Sequence, residues 1–341
     1  MKKSLLNLLL ILLSLFISLV FIELFLHIVK PAVAYQNLPQ KIIQDFLDSS
    51  ETTEFTLKKN YSGQFLMSGA SFDSTVKTNK LGWRDTEPDN REKVLVFGDS
   101  FIFGFGVNNN ETIPFYLEQK QPKYDFVNLG YVAGRSPDSY ANYLKHNKSL
   151  QQKNTIVVIY HNDLKDMTNN ICLDRNNTKV VLNNNNCKNI KSKFDSIHDG
   201  KIISNNDYKR KLYDLNLGWC YTLLKQSYIL GILKDRLSRK THPELAALTT
   251  AKNTLTQYQQ NKIKDSINIL KENSKSLTVF MIENNADSIF YSFINKYCRE
   301  IKINCHPIPR FEKKYYWKND GHYNKNGTEK ASKIILSHLD F

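Results

Sequence analysis

The chain has 341 residues, with 47 Lys and Arg against 33 Asp and Glu, a net charge of +14 and a hydrophobic content of 41%. That length supports one large domain with accessory segments and a core that needs no disulfides to hold it. The charge does not make a nucleic-acid binder: the lysines are scattered, and neither a stacked-aromatic RNA motif nor a helix-turn-helix pattern is present, so the excess suits an acidic envelope polymer, anionic lipid headgroups or simply a basic soluble surface.

The first element is apolar. Leu5 to Val29 is interrupted only by Asn7, two serines, Glu23 and His27. As a helix it would rise about 37 Å, enough to cross a bilayer core of about 30 Å. Lys2 and Lys3 in front of it predict a cytoplasmic amino terminus, with everything after Lys30 exported and periplasmic if the cell has an outer membrane. The competing reading is a cleaved signal peptide ending at Ala32-Val33-Ala34, although the apolar stretch exceeds the usual signal length. Both readings put the rest of the chain outside the cytoplasm.

Residues 1–30 are thus expected to be an anchor and 31–92 a lead-in, with a short amphipathic helix from Lys41 to Leu47 and an irregular or β-containing stretch from Glu51 to Asn90. From Val94 strands and helices alternate, which predicts an α/β domain over 93–341 with a parallel sheet and right-handed crossovers. Strands are expected at Val94–Phe97, Asp125–Leu129, Thr155–Tyr160, Leu277–Ile282 and Ile303–Ile308. Helices are expected near Thr112–Lys120, Pro137–Lys145, Thr254–Asn273 and Asp287–Tyr297, and after His322. The pattern lapses at about 168–250, which reads as an insertion. Its apolar part, Leu212 to Leu233, is expected to pack on the domain because Lys225, Gln226 and Lys234 break it as a membrane span.

Five cysteines fit an oxidising compartment and leave at least one unpaired. Cys172 with Cys187 and Cys298 with Cys305 are candidate local pairs, and Cys220 is expected buried and free. No CxxC or Cys/His grouping has zinc spacing, so no metal is expected.

Each strand end in this scheme carries a polar group. Gly98-Asp99-Ser100 closes the first strand and places a hydroxyl where ligands gather in an open α/β sheet. A serine hydroxyl becomes a nucleophile only when a base takes its proton and an acid orients that base. Asp320 and His322, just before the last helix, could supply both. The second strand leads into Gly130 to Ser136, and the third delivers His161-Asn162-Asp163. An oxyanion formed on a substrate would need fixed donors, for which the Ser100 N–H, the Gly134 N–H and the Asn162 side-chain amide are candidates. Asp99 is expected to tie the turn through backbone hydrogen bonds, and Arg84 and Asp85 to hold the lead-in to the domain.

Gly98-Asp99-Ser100, the glycine loop at Gly130 to Gly134, Asn162-Asp163 after a strand, and Asp320 with His322 resemble, in order, the four blocks of the SGNH/GDSL hydrolases. Coverage runs from about Asn79 to the end. Asn79-Lys80-Leu81-Gly82-Trp83-Arg84-Asp85 and Gly104-Phe105-Gly106-Val107 resemble the bacterial membrane-anchored members. The resemblance implies a flavodoxin-like three-layer α/β/α fold, with Ser100 as nucleophile, His322 as base and Asp320 as orienting acid. Ser100, Gly134 and Asn162 would form the oxyanion hole, Gly130 competing with Gly134 for its place. Two departures stand out. Many members carry the acid three residues before the histidine, where this chain has Asn319. The residue before Asn162 is often glycine and here is His161, which becomes a candidate substrate contact, as does Arg135, expected exposed after the glycine loop.

The implied function is an extracytoplasmic serine esterase that removes acyl groups, acetyl foremost, from an envelope or secreted glycan, with no cofactor. An O-acetyltransferase, or an accessory to polymer acetylation, would use the same acyl-enzyme. A catalytically silent glycan-binding or assembly protein on the same scaffold is the reading from another class.

Overall fold

The computed structural model describes residues 2–29, 46–48, 56–67, 72–132, 135–173, 179–183, 227–241, 255–283, 288–317 and 321–339. The N-terminal helix α1 (Lys2–Val29) holds the apolar stretch Leu5–Val29, long and apolar enough to cross a membrane, with its apolar side chains exposed.

A lead-in follows. Strands β1 (Leu47–Asp48) and β2 (Thr56–Leu57) pair antiparallel, as do β3 (Ser62–Met67) and β4 (Phe72–Lys77). The helix expected up to Leu47 is corrected at its end: Leu47 lies opposite Leu57 across a ladder, and this pairing overrides the local helical pattern. The rest of that expected helix, residues 41–45, lies outside the described residues.

The domain is built on five parallel strands, β5 (Glu92–Gly98), β6 (Tyr124–Gly130), β7 (Lys153–Ile159), β10 (Ser274–Ile282) and β11 (Asn304–Ile308), in the spatial order β11-β10-β7-β5-β6. Taken in sequence the order is 2-1-3-4-5, the flavodoxin-like arrangement, whose switch point lies between the first and third strands. Here that point is between β5 and β7. A strand sandwiched by helices must be apolar on both faces, and Val94 to Phe97 are fully buried. Leu95 and Phe97 point into one core layer, with α4 (Pro137–His146), α7 (Gln257–Asn273) and α8 (Ser288–Ile301) over it. Val94 and Val96 point into the other, covered by α3 (Ile113–Lys120) and the last helix, α9 (Lys325–Leu336).

Asn162 opens α5 (Asn162–Thr168), and a hairpin of β8 (Asn169–Leu173) and β9 (Lys179–Asn183) leads into the insertion. Cys172 sits on β8, whereas Cys187 and Cys220 lie outside the described residues. The described part of the insertion's apolar segment belongs to α6 (Tyr228–Thr241), which packs on α1. For these residues the expectation of packing on the domain is corrected, since Glu23 of α1 caps the first turn of α6; residues 212–226 of that segment lie outside the described residues. Cys298, at the end of α8, is disulfide-bonded to Cys305 on β11.

Candidate active site

Gly98 ends β5, and Asp99 caps a single helical turn, α2 (Ser100–Phe103), its carboxylate accepting from the Phe101 N–H at 3.0 Å. Gly104 leaves that turn at φ +85° and Gly106 follows at +88°, a conformation that costs a side-chain-bearing residue. Ser100 thus stands on a sharp strand-to-helix turn at the switch point, 7% exposed. Gly130, at the end of β6, lets α2 lie directly on the strand: a Cβ there would run into the backbone of Ile102 and Phe103. The Tyr131 N–H donates to the Gly98 carbonyl at 3.1 Å, tying the loop after β6 to the turn that carries Ser100.

From the far end of the chain, the segment before α9 folds over this turn. Tyr316 and Tyr323 form an antiparallel bridge, and the Trp317 N–H donates to the His322 carbonyl at 2.8 Å. Asn324 caps α9 through the Gly327 N–H. Tyr323 is buried, its ring 4.7 Å from Phe101 and 5.1 Å from Phe311, so the residue after His322 is fixed against the residue after Ser100. The outcome is a 2.8 Å contact between His322 Nε2 and Ser100 Oγ. The imidazole also touches Phe101 and Phe105, with ring centroids at 5.3 and 4.9 Å. A half-buried imidazole at hydrogen-bond distance from a hydroxyl can take its proton as the oxygen attacks an electrophile.

The structure therefore brings Ser100 and His322 together. Gly134 and Asp320 lie outside the described residues. Asn162 begins α5 beside Asp99, and its amide donates to Asp166 Oδ2 at 3.3 Å. His161 is half-buried with its ring 4.0 Å from Tyr160, which itself packs on Phe101, and burial pushes the imidazole below its usual range. Arg135 is a correction. Expected at the surface, it is fully buried, its guanidinium stacked 3.6 Å over the Tyr131 ring and 5.5 Å from that of Tyr143. A guanidinium packs well on aromatic faces, and one enclosed this way is not available to a substrate.

Beneath the site are two buried acids. Burial raises the Asp99 carboxyl, opposed by the Phe101 N–H and by the charge of a protonated His322. Burial pushes Asp163 well above the carboxylate range, and neighbouring Asp99 adds to this. Asp163 also accepts from the Tyr160 N–H at 2.9 Å, fixing the turn that presents His161 and Asn162.

The lead-in completes the frame. Arg84, 1% exposed, donates to the carbonyls of Phe103 at 2.8 Å, Gly104 at 2.6 Å and Val107 at 2.5 Å, and to Asn109 Oδ1 at 3.0 Å. Burial lowers its pKa to about 9. Asp85 accepts from the Asn128 N–H at 2.7 Å, and burial raises its pKa to about 7. Phe46, Leu47, Leu57, Phe65, Phe72 and Val76 bury Phe103 and Phe105 from above. Phe101, which with Phe105 lies against the His322 imidazole, was not singled out from sequence, although the run Phe101-Ile102-Phe103-Gly104-Phe105 was the available signal.

No protein-family model matches the sequence, and no curated protein does either. Among solved structures, the chain aligns with an acetyl xylan esterase from the rumen bacterium Butyrivibrio proteoclasticus at 11% identity and a TM-score of 0.36, over 75% of this chain and 65% of that one. It also aligns with a carbohydrate esterase family 2 enzyme plus carbohydrate-binding domain from Myceliophthora fergusii, at 9% identity and a TM-score of 0.35, over 75% and 69% of the two chains. The first alignment thus spans just under two thirds of that esterase. Likenesses of this strength say nothing about which reaction this chain performs.

Proposed function

We propose that the chain is a membrane-anchored, extracytoplasmic serine esterase of the SGNH type that removes O-acyl groups, O-acetyl foremost, from an envelope or secreted glycan. The observation that carries this reading is the 2.8 Å contact of His322 Nε2 with Ser100 Oγ at the end of β5. The helix Leu5–Val29 and the Cys298–Cys305 disulfide support the compartment.

The chemistry runs in two halves. Ser100 Oγ gives its proton to His322 Nε2 and attacks the ester carbonyl. The tetrahedral oxyanion then collapses, the bond to the sugar oxygen breaks, and the imidazolium returns the proton to that oxygen. The Ser100 acyl-enzyme that remains is attacked by a water whose proton passes to His322, and the carboxylic acid leaves as Ser100 is restored. The Ser100 N–H, the Asn162 amide and the Gly134 N–H are assigned to the oxyanion, where one donor contributes about 3 to 4 kcal/mol. Asp320 is assigned to orient the imidazole. His161 is assigned as a substrate contact; Arg135 is not.

The test is hydrolysis of a nitrophenyl acetate by the full chain in detergent, beside Ser100→Ala, with and without oligosaccharide acceptors. Release lost in Ser100→Ala is the expected result. Equal release from both proteins overturns the reading, and an acetylated sugar formed only when acceptor is present assigns the acyl-enzyme to transfer.

A further inference from the structure

Glu23 sits inside an otherwise apolar helix, and its carboxylate is engaged by another part of the chain. It accepts from Ser227 Oγ at 2.9 Å, from the Tyr228 N–H at 2.5 Å and from the Ile229 N–H at 3.1 Å. These are the free donors of the first turn of α6, which a carboxylate satisfies well. His27, one turn further along α1, lies 3.2 Å from Glu23 and packs edge-on against the buried Tyr228 ring at 4.9 Å. The contact spans more than 200 residues of sequence and is specific to these side chains.

Its depth can be read from helix geometry. Glu23 lies about 27 Å along the helix from Leu5, at 1.5 Å per residue, against a hydrocarbon core of about 30 Å. With the lysine-flanked end at the cytoplasmic face, Glu23 falls just inside the outer boundary and His27 just beyond it. The first turn of α6 therefore starts at the outer face of the bilayer. An acidic group at that depth is tolerated when donors surround it.

The composition of α6 changes along its length. Tyr228 to Leu233 is apolar apart from the tyrosine hydroxyl, and Leu230 and Leu233 are 40% and 49% exposed. The following residues include Lys234, Arg236, Arg239 and Lys240, against the single acid Asp235. Apolar side chains combined with several cations are what a helix lying in the interface carries, and anionic headgroups attract such cations within a Debye length.

We propose that α6 is an interfacial membrane helix, docked on the anchor through Glu23, with Leu230 and Leu233 in the outer boundary of the bilayer and the exposed Arg236 at anionic phospholipid headgroups, which the cation-rich sequence of its second half favours. It forms a second tether of the chain to the membrane. The anchor is then retained, since cleavage after Ala34 would part Glu23 from Ser227. This rests on the reading of Leu5–Val29 as a span.

The test uses the full chain in nanodiscs of phosphatidylcholine alone or mixed with phosphatidylglycerol, with bromine on the acyl chains near the headgroup. Leu233→Trp is compared with the parent chain, which has three tryptophans of its own; ester hydrolysis by the variant is expected unchanged and reports that it folds. The added indole is expected to be quenched, more strongly with phosphatidylglycerol. Raising salt and adding Glu23→Ala should each weaken the quenching several-fold. An unquenched indole in a chain that stays in the disc overturns the proposal while leaving the anchor intact. Equal quenching in both lipids overturns the headgroup contact, as does quenching relieved by a soluble acidic polysaccharide. A chain that elutes apart from the discs overturns the anchor and the proposal together.

Discussion

His322 Nε2 stands 2.8 Å from Ser100 Oγ although 222 residues of chain separate them. The two ends meet because Tyr323 and Phe101, their immediate neighbours, pack ring to ring in the same core layer. If they act as one unit, their removals cannot add. Ser100→Ala and His322→Ala should each lower kcat for a nitrophenyl ester by about 10⁴-fold or more, and the double variant should be no slower than either. Additive losses, read from steady-state rates of all three, would show that the two residues work independently.

Arg84 is expected to act at a distance from the chemistry. Replacing it with Ala removes the donor that the buried carbonyls of Phe103 and Val107 share with that of Gly104, which keeps only the Val107 N–H at 3.2 Å, at a cost of about 3 kcal/mol or more, seen as a fall in Tm of about 6 to 12 °C. Because the same loop carries Phe105 against His322, kcat should fall more than KM rises. Thermal melts and initial rates on one preparation check both parts; an unchanged Tm would remove Arg84 from the frame.

Asp85 gives the fold a pH dependence. Its pKa rises from 3.8 unfolded to about 7 folded, so between those values the folded state holds a proton that the unfolded state lacks. Stability from this group is complete below about pH 4, falls as pH rises and is gone above about pH 7, a span of about 4 kcal/mol at most. Melting curves from pH 5 to 8 should fall less steeply for Asp85→Asn than for the native chain. Parallel curves would rule out the buried proton.

Gly130→Ala tests the closeness of the Ser100 turn to β6. The added methyl meets the backbone of Ile102 and Phe103, not a side chain that could swing away. Overpacking of this kind costs about 1 to 3 kcal/mol, and here relief requires α2, and Ser100 with it, to move. Activity should drop sharply even in the fraction that remains folded, as measured by rate per mole of folded protein.

Much of the sheet was legible because β5 and β7 are buried on both faces and so read as unbroken apolar runs, Val94–Phe97 and Ile156–Ile159. Pairing of Ser100 with His322 was legible from residue type and position at strand ends. Leu47 was not, since its strand depends on Leu57 across a ladder that no local pattern reveals. Arg135 was misplaced because a charge after a glycine loop suggests solvent, whereas Tyr131, four residues earlier, covers the guanidinium. The grip of Glu23 on Tyr228 joins segments far apart in sequence and leaves no periodic trace in either.

The disulfide between Cys298 and Cys305 falls on β11, the outermost strand of the sheet among the described residues. An edge strand is an open template for the strand of another molecule. Pro307, opposite Met281, has no N–H to offer such a visitor, and the sulfur bridge holds the same strand to α8 so that it cannot peel away and expose β10 behind it. One margin of the sheet is thereby closed to the strands of neighbouring molecules, so that copies meeting at high local concentration cannot pair through it.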